Sequence, residues 1–183
     1  MGNAESTNLG ADRPGPLMEE AARNITMGFH EPAIVKYRRA YELHKESGAN
    51  WAAARALRLA AETGLLMPKP DYELGAKAFE EVAELCADNE LGVWIARPAY
   101  MYSILCLLAA GRIKTAKGKL EEFGKKDHAF MTGVDGITAK VVLETFDAGN
   151  KNHLRDRIEG IKDIWGAVVP WKTNLLEAVV ERI

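Results

Sequence analysis

"AAGRIKTAKGKLEEF" (residues 109–123) sets two glycines around a basic run, and Gly118-Lys119 has the look of the end of a phosphate-binding loop. The spacing excludes that reading. Such a loop needs Gly, four residues, then Gly-Lys-Ser/Thr, so that backbone N–H groups curl round the phosphates and a hydroxyl reaches the metal. Here six residues separate Gly111 from Gly118, and Leu120 follows the lysine. The run before it, Tyr102 to Ala110, lacks the Gly or Pro stops and the β-branched enrichment of a feeding strand. The stretch is instead one unit of a repeat. After Gly111 come Ala116, Leu120 and Phe123; after Gly149, 38 residues later, come Leu154, Ile158 and Ile161 at the same offsets. Moving back from Ala116 by the same 38 residues reaches Ala78, Val82 and Leu85. A further triplet, Ala33, Tyr37 and Ala40, lies 45 residues earlier, with the "LLMPKP" connection taking up the difference.

A small or apolar residue, then apolar positions one turn and two turns on, is the seam of a helix packed tightly against a neighbour. Its recurrence near the period of about 34 residues typical of tetratricopeptide (TPR) hairpins predicts an all-α fold. The expected architecture is a right-handed stack of antiparallel helical hairpins, a TPR-like α-solenoid. Nine helices are expected, near 17–27, 31–46, 50–63, 71–87, 97–110, 112–125, 135–148, 150–164 and 170–182, the ninth capping the stack. Gly48 is expected to close one helix and Asn50 to N-cap the next. Trp165 and Trp171 flank "GAVVP", which reads as a packed corner.

The chain has 183 residues, 48% apolar and 27% charged, with net charge −2 and pI near 6.1, the balance of one globular domain and not of a nucleic-acid binder. The first 16 residues are polar, rich in glycine and aperiodic, and read as a flexible arm before a repeat domain over 17–183. That arm opens M-G-x-x-x-S, which makes Gly2 a candidate for N-myristoylation. No apolar run approaches the roughly 20 residues of a membrane-spanning helix. Cys86 and Cys106 sit in apolar stretches and read as reduced core thiols of a cytoplasmic protein. The four histidines have no metal-site spacing, no cofactor motif is present, and no nucleophile, base and orienting group stand at a telling spacing. Ile113, Ala116, Leu120 and Phe123 form a buried stripe. Lys114, Lys117, Glu121 and Lys125 then form a solvated face or a partner-binding patch, with Lys117 and Glu121 spaced to pair. Residues 112–126 carry a net charge of +4 and residues 71–90 of −6. The opposition either steers two partners or pairs neighbouring hairpins.

The stretch "AYMYSILCLLAAGRIKTAKGKLEEFGKKDHAF" (99–130) resembles the C-terminal half of the soluble NSF attachment proteins, the SNAP family, in order and spacing. "ETFDAGNKNHLRDRIEGIKDIWGAVVPWKTNLLEAVVERI" (144–183) continues the likeness, with a Trp-bearing linker and a closing amphipathic helix; "ARALRLAAETG" (54–64) and "YELGAKAFEEVAEL" (72–85) follow the same style. The resemblance implies an adaptor and not an enzyme. It would grip an acidic bundle of SNARE helices, present it to a hexameric AAA ATPase, and associate peripherally with membranes. Arg58 and Arg97 fall where the family carries basic residues on its gripping face, and Arg55 joins them from the same helix. Two departures accompany the likeness. The sequence is shorter, without counterparts of the family's N-terminal hairpins and apolar membrane-touching loop. It also stops at "VVERI" where the family runs on into an acidic tail, which bears on recruitment of the ATPase. Acylation at Gly2 would replace the missing loop. The rival to this reading is a general helical-repeat scaffold for another peptide or protein.

Overall fold

The computed structural model describes residues 13–87, 90–166 and 168–183, and among them all regular structure is helical. The helices are α1 (Pro14–Thr26), α2 (His30–Glu46), α3 (Asn50–Gly64), α4 (Tyr72–Cys86), α5 (Val93–Ala109), α6 (Ile113–Lys126), α7 (His128–Thr132), α8 (Val134–Asp147), α9 (Lys151–Trp165) and α10 (Pro170–Glu181). Their order and packing are those of an α-solenoid of helical hairpins. The seam triplets are buried on α2, α4, α6 and α9, except that Leu85 is half-buried.

The short connections share one chemistry. Gly111 has φ 75°, the left-handed region that a Cβ disfavours. The next N–H, of Arg112, bonds back to the Leu107 carbonyl at 2.8 Å, which satisfies an orphan carbonyl and reverses the chain. Gly48 (φ 72°) makes the same turn, with Ala49 N–H on the His44 carbonyl at 2.9 Å. This bond fixes Ala49 as the boundary residue, so Asn50 is the first helical residue and its side chain caps nothing, contrary to the expected N-cap role.

Three boundaries depart from the sequence reading. α1 starts at Pro14 and not at 17, because its prolines occupy the first turn, where the missing N–H has no helical partner to lose. α5 starts at Val93 and carries Pro98 in its second turn. The connection after α6 holds the additional helix α7, which makes ten helices among the described residues. Asp127 caps it, accepting from the N–H groups of Ala129 (3.0 Å) and Phe130 (3.2 Å). Phe130 is fully buried, 5.5 Å from the Tyr100 ring, while Tyr100 stacks on Phe123 at 4.3 Å. Burial of each such ring contributes ~1.5–3 kcal/mol, which anchors a helix too short to form alone.

Beyond its first turns, which carry exposed Trp94 and the paired Arg97, α5 is buried on nearly all sides, with eleven buried positions, as a helix surrounded by others must be. It packs against α4, α6, α8 and α10. α10 therefore does more than cap the row. It lies against α5, stacks Trp171 on Phe79 of α4 (5.8 Å), and reaches the α3–α4 connection, where Asn174 donates to the Leu65 carbonyl at 3.4 Å.

Candidate partner-binding surface

Arg55 and Arg58 stand about one turn apart on α3. Arg55 is exposed and has no ion pair or hydrogen bond among the described residues. Arg58 lies 3.7 Å from Glu62, one turn further along. From Glu62 a belt of alternating charge runs across four helices: Arg58 and Glu62 on α3, Lys172 on α10, Asp135 on α8, and Arg97 on α5. Burial pushes the carboxyls of Glu62 and Asp135 up, against the pull of the nearby cations, Arg58 and Lys172 for Glu62, Lys172 and Arg97 for Asp135. Burial pushes the Lys172 ammonium down, against the two carboxylates. Both carboxylates therefore lie in a partly dry setting, where charge interactions are stronger than in bulk water.

The Lys172 ammonium is also ringed by aromatic faces, 5.3 Å from the centroid of Tyr102, 5.2 Å from Trp165 and 5.6 Å from Trp171. Such contacts favour a cation over a neutral amine. The expected packed corner is confined to its flanks: Trp171 is buried and Trp165 half-buried, with Lys172 against both rings, while Gly166, Val169 and Pro170 between them are exposed and Ala167 lies outside the described residues. The two tryptophans are local, but Glu62, Tyr102 and Asp135 come from α3, α5 and α8, so nothing in the sequence around Lys172 announces the full setting.

Arg97 is firmly held. Its guanidinium meets Asp127 through two hydrogen bonds, at 2.6 and 3.3 Å. Hydrogen bonding to Arg97 holds the Asp127 carboxyl below its ordinary value, helped by the same carboxylate's bonds to the α7 backbone. The residue nominated for a partner is thereby joined to the cap of α7.

The α6 lysines do not join the arginines. Lys114 is exposed with no ion pair among the described residues, and Lys117 pairs with Asp147 of α8 at 2.6 Å and not with Glu121. A partner arriving from another helix won over the partner on the same helix. The rest of the basic run answers the question posed by the opposed charges of α4 and α6. Arg112 meets Glu73 (2.7 Å), Lys119 meets Glu80, and Lys126 meets Glu84 (3.5 Å), which zips α6 to α4 along its length.

Cys86 and Cys106 are buried free thiols, each pushed up by burial. Among the described residues no His, Cys, Asp and Glu cluster could hold a metal, and no helix is long and apolar enough to cross a membrane. Gly2 lies outside the described residues.

Comparison with known proteins extends this geometry. Residues 16–183 match the family model described as soluble NSF attachment protein, SNAP. The chain belongs to the SNAP family. It is 26% identical over 144 residues to the "Probable vesicular-fusion protein sec17 homolog" of Schizosaccharomyces pombe, a match covering 79% of this chain and 49% of that protein. The chain thus spans about half the length of the curated relative it matches. SNAP membership accounts for the fold, and the match runs from α1 to the last residue, so the charged belt and the zipped α4–α6 seam both lie inside it.

Proposed function

We propose that this SNAP-family chain is an adaptor in vesicle fusion. It binds an acidic SNARE-type helical bundle through the α3 arginines and the belt beside them, and passes that bundle to an AAA ATPase. Membership of the family over residues 16–183 carries the proposal. The geometry supports it in one respect: Arg55 is uncommitted and Arg58 only loosely paired, so both are available to carboxylates from outside. Arg97 and Lys117 take part after exchanging their internal partners Asp127 and Asp147 for those of the bundle. Lys114, exposed on α6 and apart from the arginines, offers a separate cation to the same bundle. In this reading the chain performs no chemistry of its own, and its contribution is position and charge.

The test is a salt series of binding between the purified protein and a preassembled SNARE four-helix bundle. Affinity is expected to fall steeply with salt, because opposed surface charges are screened over about 10 Å at 0.1 M. Arg55→Glu and Arg58→Glu are expected to weaken binding tenfold or more, Arg55→Glu with unchanged melting temperature and Arg58→Glu with a small loss, because it sets a second carboxylate beside Glu62. Absence of binding at low salt would refute the proposal. It would favour the second reading, a helical-repeat scaffold with a different partner, which the internal pairing of Arg97 and Lys117 supports. Myristoylation of Gly2 belongs to the same proposal as the peripheral membrane attachment. One acyl chain gives only weak, reversible binding, so residence at the membrane would depend on the bound partner. Gly2→Ala is expected to reduce the membrane fraction in cells, and an unchanged fraction would remove this part.

A further inference from the structure

The helices α2, α4 and α6 form a row whose two seams differ. The α4–α6 seam is zipped by ion pairs along its length. The α2–α4 seam is tied toward the C-terminal end of α2, where Tyr41 and Lys45 both bond Glu81. Towards the N-termini of α2 and α4 the seam stands open over α3. Two depressions lie along it, about 180 and 210 Å³, the first in the open part and the second bounded by Tyr41 and Glu81 of the tie; both share Leu57, Leu74, Ala78 and Arg38 in their linings. The floor of the first is made of the small residues Ala60, Ala61 and Gly64. Each depression is smaller than the roughly 300 Å³ at which small-molecule sites begin. Each is instead close to the ~150 Å³ that accepts a benzene-sized group. These are pockets for side chains.

Charge at the rim identifies the kind of side chains that flank them. Arg38, Lys69 and Lys77 are exposed and have no ion pair or hydrogen bond among the described residues. The neighbouring carboxylates are committed: Glu42 to Arg39 (3.3 Å), Glu81 to Tyr41 and Lys45, and Asp71 to the Leu74 N–H (2.9 Å). The groove is apolar at its floor and carries three free positive charges at its edge.

We propose that the open α2–α4 groove is a docking site for an acidic amphipathic segment of a partner protein, with two large apolar residues filling the depressions and Asp or Glu residues meeting Arg38, Lys69 and Lys77. This is the mode in which an amphipathic helix lays its apolar face into a groove. It is independent of bundle binding through the α3 arginines.

The test begins with a phage-displayed library of random twelve-residue peptides selected on the purified full chain. Recovered sequences are expected to pair two Leu-, Phe- or Trp-sized residues with an excess of Asp and Glu. Their affinity, read by fluorescence anisotropy, is expected to fall at least tenfold with Arg38→Glu and with Gly64→Leu. Gly64 lines the first depression, and a Cβ there meets nothing within 4 Å. Leucine is also the better helix former, so Gly64→Leu is expected to keep or raise the melting temperature while filling the groove. Binding to the SNARE bundle is expected to survive Gly64→Leu, which separates failure of this site from failure of the adaptor proposal. The inference is overturned if no peptide is recovered, if recovered peptides have no acidic excess, or if they bind Gly64→Leu as tightly as the unmodified chain.

Discussion

Asp127→Ala removes two supports at once, and their sizes can be worked out separately. The Asp127 carboxylate caps α7 through the N–H groups of Ala129 and Phe130, and it holds Arg97 in a two-bond pair. Loss of an N-cap costs about 1 kcal/mol. The Arg97–Asp127 pair is 26% and 20% exposed at its two side chains, which places it near the top of the 0–1 kcal/mol range for surface pairs, at roughly 1 kcal/mol. The sum, ~2 kcal/mol, corresponds to a drop of about 4–8 °C in melting temperature for a chain of this size. Asp127→Asn keeps a capping oxygen and loses the charge, so it is expected to cost ~1 kcal/mol at neutral pH. The two variants differ again in acid. The Asp127 carboxyl is held below its ordinary 3.8, so its charge-dependent stabilisation is complete above that value and is lost as the pH falls through the lower, folded-state one. The deficit of Asp127→Asn should therefore shrink from about pH 4 downward and vanish once the native carboxyl is protonated, while Asp127→Ala stays destabilised. Thermal melts at pH 7 and across pH 2.5–5 read both effects. A shift below 2 °C for Asp127→Ala at pH 7, or a deficit of Asp127→Asn that persists unchanged in acid, would refute the assignment of cap and pair. The result also governs any binding experiment at Arg97, because a charge reversal there perturbs α7 as well as the surface.

Two further predictions concern the helices that frame the surface. A Cβ on Gly136 would collide with the backbone carbonyl of Phe130, so Gly136→Ala forces α7 and α8 apart; a loss of ~3 kcal/mol is expected by equilibrium denaturation, and unchanged stability would show that the α7–α8 approach is not needed. Lys119 and Glu80 are each about three-quarters covered in the α4–α6 seam. Glu80→Lys and Lys119→Glu are each expected to destabilise and the double swap to recover most of the loss, with a coupling of ~0.5–1 kcal/mol in a double-mutant cycle; strict additivity would mean that the pair contributes nothing.

The hairpin order was legible because its causes are local or periodic. The seam triplets around Ala116 and Ile158 repeat at one period, and each is fully covered where it recurs on α6 and α9. The helix end at Gly48 was legible for a local reason, since a tight reversal needs a residue that tolerates positive φ. α7 was not legible. Its five residues have no periodicity to read, and its stability comes from the rings of Tyr100 and Phe123 on other helices and from a cap shared with Arg97. The position of α10 was hidden similarly, because the ring of Phe79 that receives Trp171 lies some ninety residues earlier in the chain.

Charge was the least legible property, for a reason that bears on function. Sequence places Lys117 one turn from Glu121, yet Asp147 claims it; it leaves two readings of the opposed charges of 112–126 and 71–90, and only the fold, by setting Glu80 and Glu84 of α4 against Lys119 and Lys126, favours the pairing of neighbouring hairpins. A basic residue is free for a partner only when the fold has not already supplied its carboxylate, and those carboxylates arrive from helices distant in sequence. By that criterion Arg55 and Lys114 stay available among the five nominated cations, Arg58 is weakly engaged, and Arg97 and Lys117 must give up an internal bond to serve. The same criterion adds Arg38, Lys69 and Lys77, which sequence alone did not single out, and gathers them on one open seam. Among the described residues, Arg55 with Arg58 on α3 and Arg38, Lys69 and Lys77 at the α2–α4 groove thus form two basic groups with little or no internal pairing. They differ in that only the second has an apolar floor, so a charge-reversed partner should lose both, while a partner stripped of its apolar anchors should lose the groove alone.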